Sequence, residues 1–183
     1  MIVLALVGMA GAGKSEAARF FTEKGFAKIS FGAITDEEIK NRGLALNEEN
    51  ERNVREGFRK EHGMAAYAIL NLPRIEEARK SSPVIIDGLY SWEEYQVLKK
   101  HFGDDFFVVA VYSSPQTRYR RLEHRQIRPL TFTEAASRDE AEIVKINKGG
   151  PIAMADFTII NEGSLDDLQK EVEKALILIQ GEK

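Results

Sequence analysis

Residues Gly8-Met9-Ala10-Gly11-Ala12-Gly13-Lys14-Ser15 follow the spacing of a phosphate-binding loop: glycine, four residues, glycine, lysine, serine. The glycines let the backbone curl into a nest of N–H donors around phosphate oxygens, and the helix that follows aims its positive end at the same point. In this pattern Lys14 pairs with β- and γ-phosphates and the Ser15 hydroxyl ligates magnesium. At ordinary glycine usage the bare pattern arises by chance in about one chain in a hundred of this length. The alternative is a glycine-rich turn that binds nothing.

A second signal is Val84-Ile85-Ile86-Asp87-Gly88, an apolar run that ends in a carboxylate. Open α/β sheets bind ligands at the carboxyl ends of their strands. Asp87 at such an end could hold magnesium, directly or through water, or orient an attacking hydroxyl. On its own it reads rather as a turn aspartate bonding its own backbone before Gly88, and the phosphate-binding loop beside it turns the reading toward function.

The third signal is the basic segment from Arg118 through Arg120, Arg121, Arg125 and Arg128 to Pro129. Arg118, Arg121 and Arg125 are three and four residues apart and share one helix face. The planar guanidinium fork suits phosphate better than an ammonium does. A solvated charged face balanced by Glu123 and Glu134 is the bland reading, and Arg120 fits it as well as it fits phosphate contact. His62, His101 and His124 lack ligand spacing, so a transition-metal site or catalytic triad has little support. Trp92 and Tyr95, three apart, read as packing.

These residues need a scaffold that brings them together. The chain has 183 residues, 43% hydrophobic and 30% charged, a composition that supports one domain with a proper core. A net charge of −3 argues against a nucleic-acid partner. The absence of cysteine fits a reducing, cytoplasmic setting. The opening run 1–7 has no basic flank and is far too short to span a bilayer, so neither a signal peptide nor an anchor is expected. Short apolar runs at 2–7, 27–31, 83–86, 106–112 and 157–160 read as strands. Helical spacing occupies 14–24, 48–62, 64–80, 92–102, 115–125, 133–145 and 165–179. Strands alternating with long crossovers predict a mainly parallel sheet covered on both faces. Asn47, Ser114 before Pro115, and Ser164 are expected N-caps, Gly63 a helix stop, and Pro73 a kink.

The loop, Asp87-Gly88, the arginine segment and the run Ala155-Asp156 through Asn161-Glu162-Gly163 together resemble the nucleoside-monophosphate-kinase-like group of P-loop kinases. The resemblance covers nearly the whole chain. Within the group it is strongest to an adenylate-kinase-related family, with dephospho-CoA kinases as close relatives. It implies a three-layer α/β fold whose five-stranded parallel sheet has the order 2-3-1-4-5. It also implies a helical acceptor-binding insertion over about 34–80, an arginine-rich lid over about 115–140, and one kinase domain over 1–183. The implied reaction moves the terminal phosphoryl group of Mg-ATP to a nucleotide, dephospho-CoA or similar phosphorylated metabolite.

By the same resemblance the loop residues and Glu16 bind the nucleotide, with Arg121, Asn161 and Gly163 beside it. Lys14, Asp87, Arg125 and Arg138 act on the transferring group, Ser15 and Asp87 hold Mg2+, and Arg59, Gly88 and Asp36 lie on the acceptor side. Two family groups are displaced. Where relatives carry an aspartate after the second strand, this chain reads Ser30-Phe31-Gly32-Ala33 with Asp36 as the nearest acid. Where they often carry an arginine after Asp-Gly, it reads Leu89-Tyr90-Ser91. These departures leave open a non-catalytic or slowly hydrolysing ATP-binding switch that acts through a partner protein.

Overall fold

The run Val3–Val7 (β1) is buried at every position because it lies at the centre of the sheet with helices on both sides. In the computed structural model, which describes residues 1–126 and 129–181, the chain continues through α1 (Lys14–Glu23) and β2 (Ala27–Ser30). It then forms α2 (Ala33–Asn41), α3 (Glu48–His62), α4 (Ala66–Ala78), β3 (Val84–Asp87) and α5 (Trp92–Phe102). A 3-10 turn at Gly103–Asp105 leads to β4 (Phe106–Tyr112), α6 (Pro115–His124) and α7 (Phe132–Ile146). Last come α8 (Gly149–Ala153), β5 (Phe157–Ile160) and α9 (Leu165–Gly181). Ile127 and Arg128 of the basic segment lie outside the described residues.

All five strands are parallel, in the order β2-β3-β1-β4-β5. This is the three-layer P-loop NTPase architecture. Side chains alternate across β1, so Leu4 and Leu6 join Phe107, Val109 and Val111 under α1 and α9. Val3, Ala5 and Val7 face the other way, with Phe106, Val108 and Ala110 against α4 and α5. The same direction of every strand places the ends of β1 and β3 side by side, with Leu6 opposite Asp87. That register is what sets the glycine loop next to the acidic strand end.

The expected caps are present: Asn47 Oδ1 accepts from the Asn50 N–H at 2.9 Å, Ser114 Oγ from Thr117, and Ser164 Oγ from Asp167. Gly63 ends α3 at φ 74°, and Pro73 lies within α4. Helices α2 and α8 have no counterpart in the helical spacing read from the sequence, although α2 falls within the helical insertion that the resemblance implied. In α2 only Ile34, Thr35 and Ile39 are buried and Gly32 offers no side-chain cap, so its apolar stripe is weak. In α8 the sequence Gly149-Gly150-Pro151 carries loop chemistry, and packing on α5 holds it helical. Among the described residues no helix is long and apolar enough to cross a membrane.

Candidate phosphate-binding site

The turn between β1 and α1 has its carbonyls occupied from outside. Lys14 Nζ donates to the Gly8 and Met9 carbonyls at 2.8 and 3.0 Å. Arg118 donates to Ala10 O at 3.1 Å, and Asn161 Nδ2 to Ala12 O at 2.8 Å. With these carbonyls held, and the Ala12 N–H bonded to Met9 O at 3.2 Å, the first N–H groups of α1, which have no partner within the helix, are the donors an anion would use. Gly13, the N-cap of α1, is left-handed at φ 99°, and a Cβ there would run into the Asn161 amide. Gly11 has φ 78°, and a Cβ would stand 2.7 Å from the Arg118 carbonyl. Both glycines are therefore required by close backbone approach as well as by conformation.

Lys14 is the electrostatic centre of the site. Burial, followed by the ammonium of Lys148, pushes its pKa down to about 7, while Glu142 and Asp87 pull it up and Arg138 adds a further push down. The same five groups thus come from β3, α1, α7 and the α7–α8 corner. Lys148 is 2% exposed and pairs with Glu142 at 2.7 Å, and Glu142 also takes Arg138 at 3.1 Å. Burial works against the charge on Glu142, yet Lys148 and Arg138 hold its carboxyl below the usual range.

Asp87, 14% exposed at the end of β3, pairs with Lys28 of β2 at 2.9 Å. Ser15 is exposed in the first turn of α1. A hydroxyl and a carboxylate are hard oxygen donors that suit a magnesium ion keeping several waters and phosphate oxygens. Among the described residues no three His, Cys, Asp or Glu side chains converge into an all-protein cage.

Beside the loop lies a cleft of about 290 Å³ lined by Gly13, Glu16, Arg121, Asn161, Gly163, Ser164 and Leu165. Five of these were singled out from the sequence. Arg121 Nη1 donates to Ser113 Oγ and Asn161 O, both at 3.0 Å, so the arginine is fixed along the cleft wall. Glu16 is exposed and pairs with Arg19 at 3.1 Å.

The shared helix face of Arg118, Arg121 and Arg125 divides in its roles. Arg118 is buried and grips both carboxylate oxygens of Asp139 at 2.9 and 2.6 Å, so it joins α6 to α7. Arg125 closes the C-terminus of α6, half-buried, and Arg120 is exposed. Arg138 reaches the phosphate site through Glu142, with its side chain about half exposed. Glu134 does not balance a solvated face: it forms a capping box with Thr131 at the start of α7.

Arg59 at the end of α3 lies over the Tyr67 ring at 5.7 Å, with its Nε buried and unpartnered. Tyr67 and Tyr90 meet edge to face at 5.7 Å, and Tyr67 bonds Thr35 at 2.6 Å. Gly88 is left-handed at φ 108°, and a Cβ there would stand 2.7 Å from the Tyr90 hydroxyl. Glu94 of α5 is buried among these groups. Its Oε2 accepts from the Tyr90 and Ser91 N–H groups at 2.8 and 3.2 Å, while Oε1 has no partner. Burial pushes its pKa up to about 7. Asp36 lies exposed on α2, away from the buried face that carries Thr35. Lys28, Tyr67, Tyr90, Glu94, Glu142 and Lys148 were not anticipated. Isolated charges between apolar runs carry no spacing signal; the one local signal for any of them, not used above, is the capping pattern Ser91-x-x-Glu94.

A family model described as "AAA domain" matches residues 4–145. A "UPF0200 protein" of Thermococcus sibiricus is 35% identical over 177 residues, which covers 94% of this chain and 93% of the relative. One of Thermococcus kodakarensis is 36% identical over 178 residues, 95% of each. Among solved structures, TT1252 from Thermus thermophilus has TM-score 0.69 at 17% identity, over 97% of this chain and 96% of that one. A gluconokinase from Sinorhizobium meliloti has TM-score 0.60 at 15% identity, over 97% and 93%. A dephospho-CoA kinase from Campylobacter jejuni has TM-score 0.56 at 15% identity, over 97% and 96%. At these identities the structures share the fold.

Proposed function

The chain belongs to the UPF0200 family, and we propose that it is an ATP-dependent phosphotransferase acting on a small anionic acceptor. The observation that carries this reading is the glycine loop ending in Lys14, on whose ammonium the charges of Asp87, Arg138 and Lys148 act, beside a cleft lined by Gly13, Arg121, Asn161 and Gly163. The cleft suits the nucleoside end of ATP and the loop its phosphates. The Arg59 side, roofed by α3 and α4, receives the acceptor. Proteins named gluconokinase, shikimate kinase and dephospho-CoA kinase are built on the same fold, which supports a small-molecule acceptor.

In the transfer, the acceptor oxygen bonds to the γ-phosphorus while the bond from that phosphorus to the ADP oxygen breaks. ADP keeps the electron pair, and a hydroxyl acceptor gives its proton to water. Magnesium, held by Ser15 and Asp87, would offset phosphate charge. Lys14 binds the β- and γ-phosphates, Arg121 orients the nucleotide, and Arg125 and Arg138 meet charge that spreads in the transition state. The test is ADP release from ATP and magnesium with and without nucleoside monophosphates, nucleosides, dephospho-CoA, gluconate and shikimate. Strong stimulation by one acceptor is the expected result. Slow turnover indifferent to every acceptor overturns the kinase reading in favour of a nucleotide switch.

A further inference from the structure

Lysine is among the residues least often buried, and when it is buried a partner and a reason are expected. Lys148 is 2% exposed, and the chain goes to some length to put it there. Asn147 adopts a left-handed φ of 53°, and this turn ends α7. The Lys148 N–H then bonds back to the Glu142 carbonyl, six residues earlier, at 3.2 Å and closes the turn. Its ammonium bonds the carboxylate of the same Glu142 at 2.7 Å. Beyond it, Gly150 lies so close to Trp92 of α5 that a Cβ would stand 2.7 Å from the indole. The corner is therefore clamped between α7 and α5.

The direction in which the ammonium points matters more than its burial. Lys148 lies over the Tyr90 ring at 5.6 Å. Its charge acts on Lys14 on the loop side and on Glu94 on the acceptor side. It therefore stands between the two halves of the proposed site. Glu142 is shared between Lys148 and Arg138, so one carboxylate neutralises two cations. The charges of Lys148 and Arg138 both act on the Lys14 ammonium, and Glu142 and Asp87 are the acids that act on it. Such an excess of positive charge in a partly desolvated pocket is relieved by an anion.

We infer that Lys148 is a second phosphoryl-binding cation, on the acceptor side of Lys14, which Glu142 holds in place until the phosphoryl oxygens take it over. The inference rests on the phosphotransferase reading above and adds to it the group that follows the phosphoryl as it leaves ADP. Lys14 stays with the donor phosphates, and Lys148 meets the equatorial oxygens as the acceptor oxygen closes on phosphorus. The bonds made and broken are those already given, and Lys148 forms none of them.

The test compares the parent, Lys148→Met, and a double variant that adds Glu142→Gln so that no buried carboxylate is left unpaired. Binding of Mg-ADP and of Mg-ADP with aluminium fluoride is measured by calorimetry, with melting curves alongside. Turnover is measured with the acceptor that stimulates the parent. The expected result is Mg-ADP affinity within about two-fold of the parent, with turnover and the aluminium fluoride complex weakened roughly a hundred-fold in both variants. Variants that bind the fluoride complex and turn over like the parent overturn the inference while leaving the kinase reading intact. If the double variant fails to fold, Lys148 is a structural counter-ion and the inference falls. A parent that binds neither Mg-ATP nor Mg-ADP removes the kinase reading itself and this inference with it.

Discussion

Arg118 on α6 grips both carboxylate oxygens of Asp139 on α7, and the same guanidinium donates to the Ala10 carbonyl in the glycine loop. One side chain thus ties the arginine-bearing helices to the phosphate cradle. Removing one partner of a buried pair leaves an uncompensated charge, so Asp139→Leu should cost about 3–5 kcal/mol of stability in urea unfolding. Adding Arg118→Met should restore much of that stability, because two apolar side chains can replace a buried pair. It should not restore ATP affinity, because the Ala10 carbonyl has lost its donor. A double variant that regains both stability and binding would show that the tie does not shape the loop.

Lys14 in the free protein has a pKa near 7, lowered first by burial and then by Lys148. Phosphate oxygens raise it. Between pH 7 and the higher value in the complex, binding takes up a proton, so ATP affinity should fall as pH rises through that window. Calorimetry of Mg-ATP binding at pH 8 in two buffers of different ionisation enthalpy should show proton uptake. Lys14→Ala should abolish the uptake along with most of the affinity, and its melting temperature should not drop. Identical heats for the parent in the two buffers would contradict the assignment.

Glu94 is protonated more readily in the fold than in the unfolded chain, because burial raises its pKa from 4.5 to about 7. Between those values the fold binds the extra proton, so the stability this gives is present below about pH 4.5 and is lost as pH rises through 7. Glu94→Gln retains an acceptor for the Tyr90 and Ser91 N–H groups without the charge. Its stability relative to the parent should improve from pH 4.5 to pH 8 by roughly 3 kcal/mol. Urea unfolding at the two pH values measures this, and a constant difference would mean that Glu94 titrates normally.

Asp87→Asn keeps the shape of the β3 end but removes its charge from both Lys28 and the proposed metal. ATP binding without magnesium should be maintained or strengthened, since a negative charge leaves the phosphate site, and the magnesium concentration needed for half-maximal turnover should rise. A variant with the magnesium dependence and rate of the parent would make Asp87 the partner of Lys28 alone.

Arg125→Ala should lower turnover far more than ATP affinity. An arginine supplied to a transferring phosphoryl group is worth roughly a thousand-fold or more in rate. Arg120, exposed on α6, is the internal control. Equal, small effects of the two substitutions on turnover with the best acceptor would remove the lid role from this segment.

The sheet was legible because each strand is a short apolar run bounded by turn residues, and the parallel direction follows from the crossovers, while the strand order came through the family pattern. The loop was legible because its spacing is rigid, and the cleft wall at Asn161 and Gly163 came through the family pattern. The other half of the site was not. Lys148 follows a loop-like Lys-Ile-Asn run, and Glu94 reads as the third residue of a capping box. Their importance arises only when α8 docks on α5, which no local pattern encodes. The role of Arg118 was hidden for a related reason: its helical spacing matches that of Arg121, but Asp139, 21 residues away, claims its guanidinium.

The bonds from Lys14 to the Gly8 and Met9 carbonyls have a kinetic meaning. A glycine-rich segment left to itself would sample many shapes, and a ligand would have to wait for the right one and bear the entropy of fixing it. Here the lysine has already selected the shape. An arriving polyphosphate offers its own oxygens to the lysine in place of the two carbonyls and leaves the backbone where it was. Capture should therefore proceed in a single step at a rate proportional to ligand concentration, and the resting lysine serves as the mould in which the loop keeps its form between turnovers.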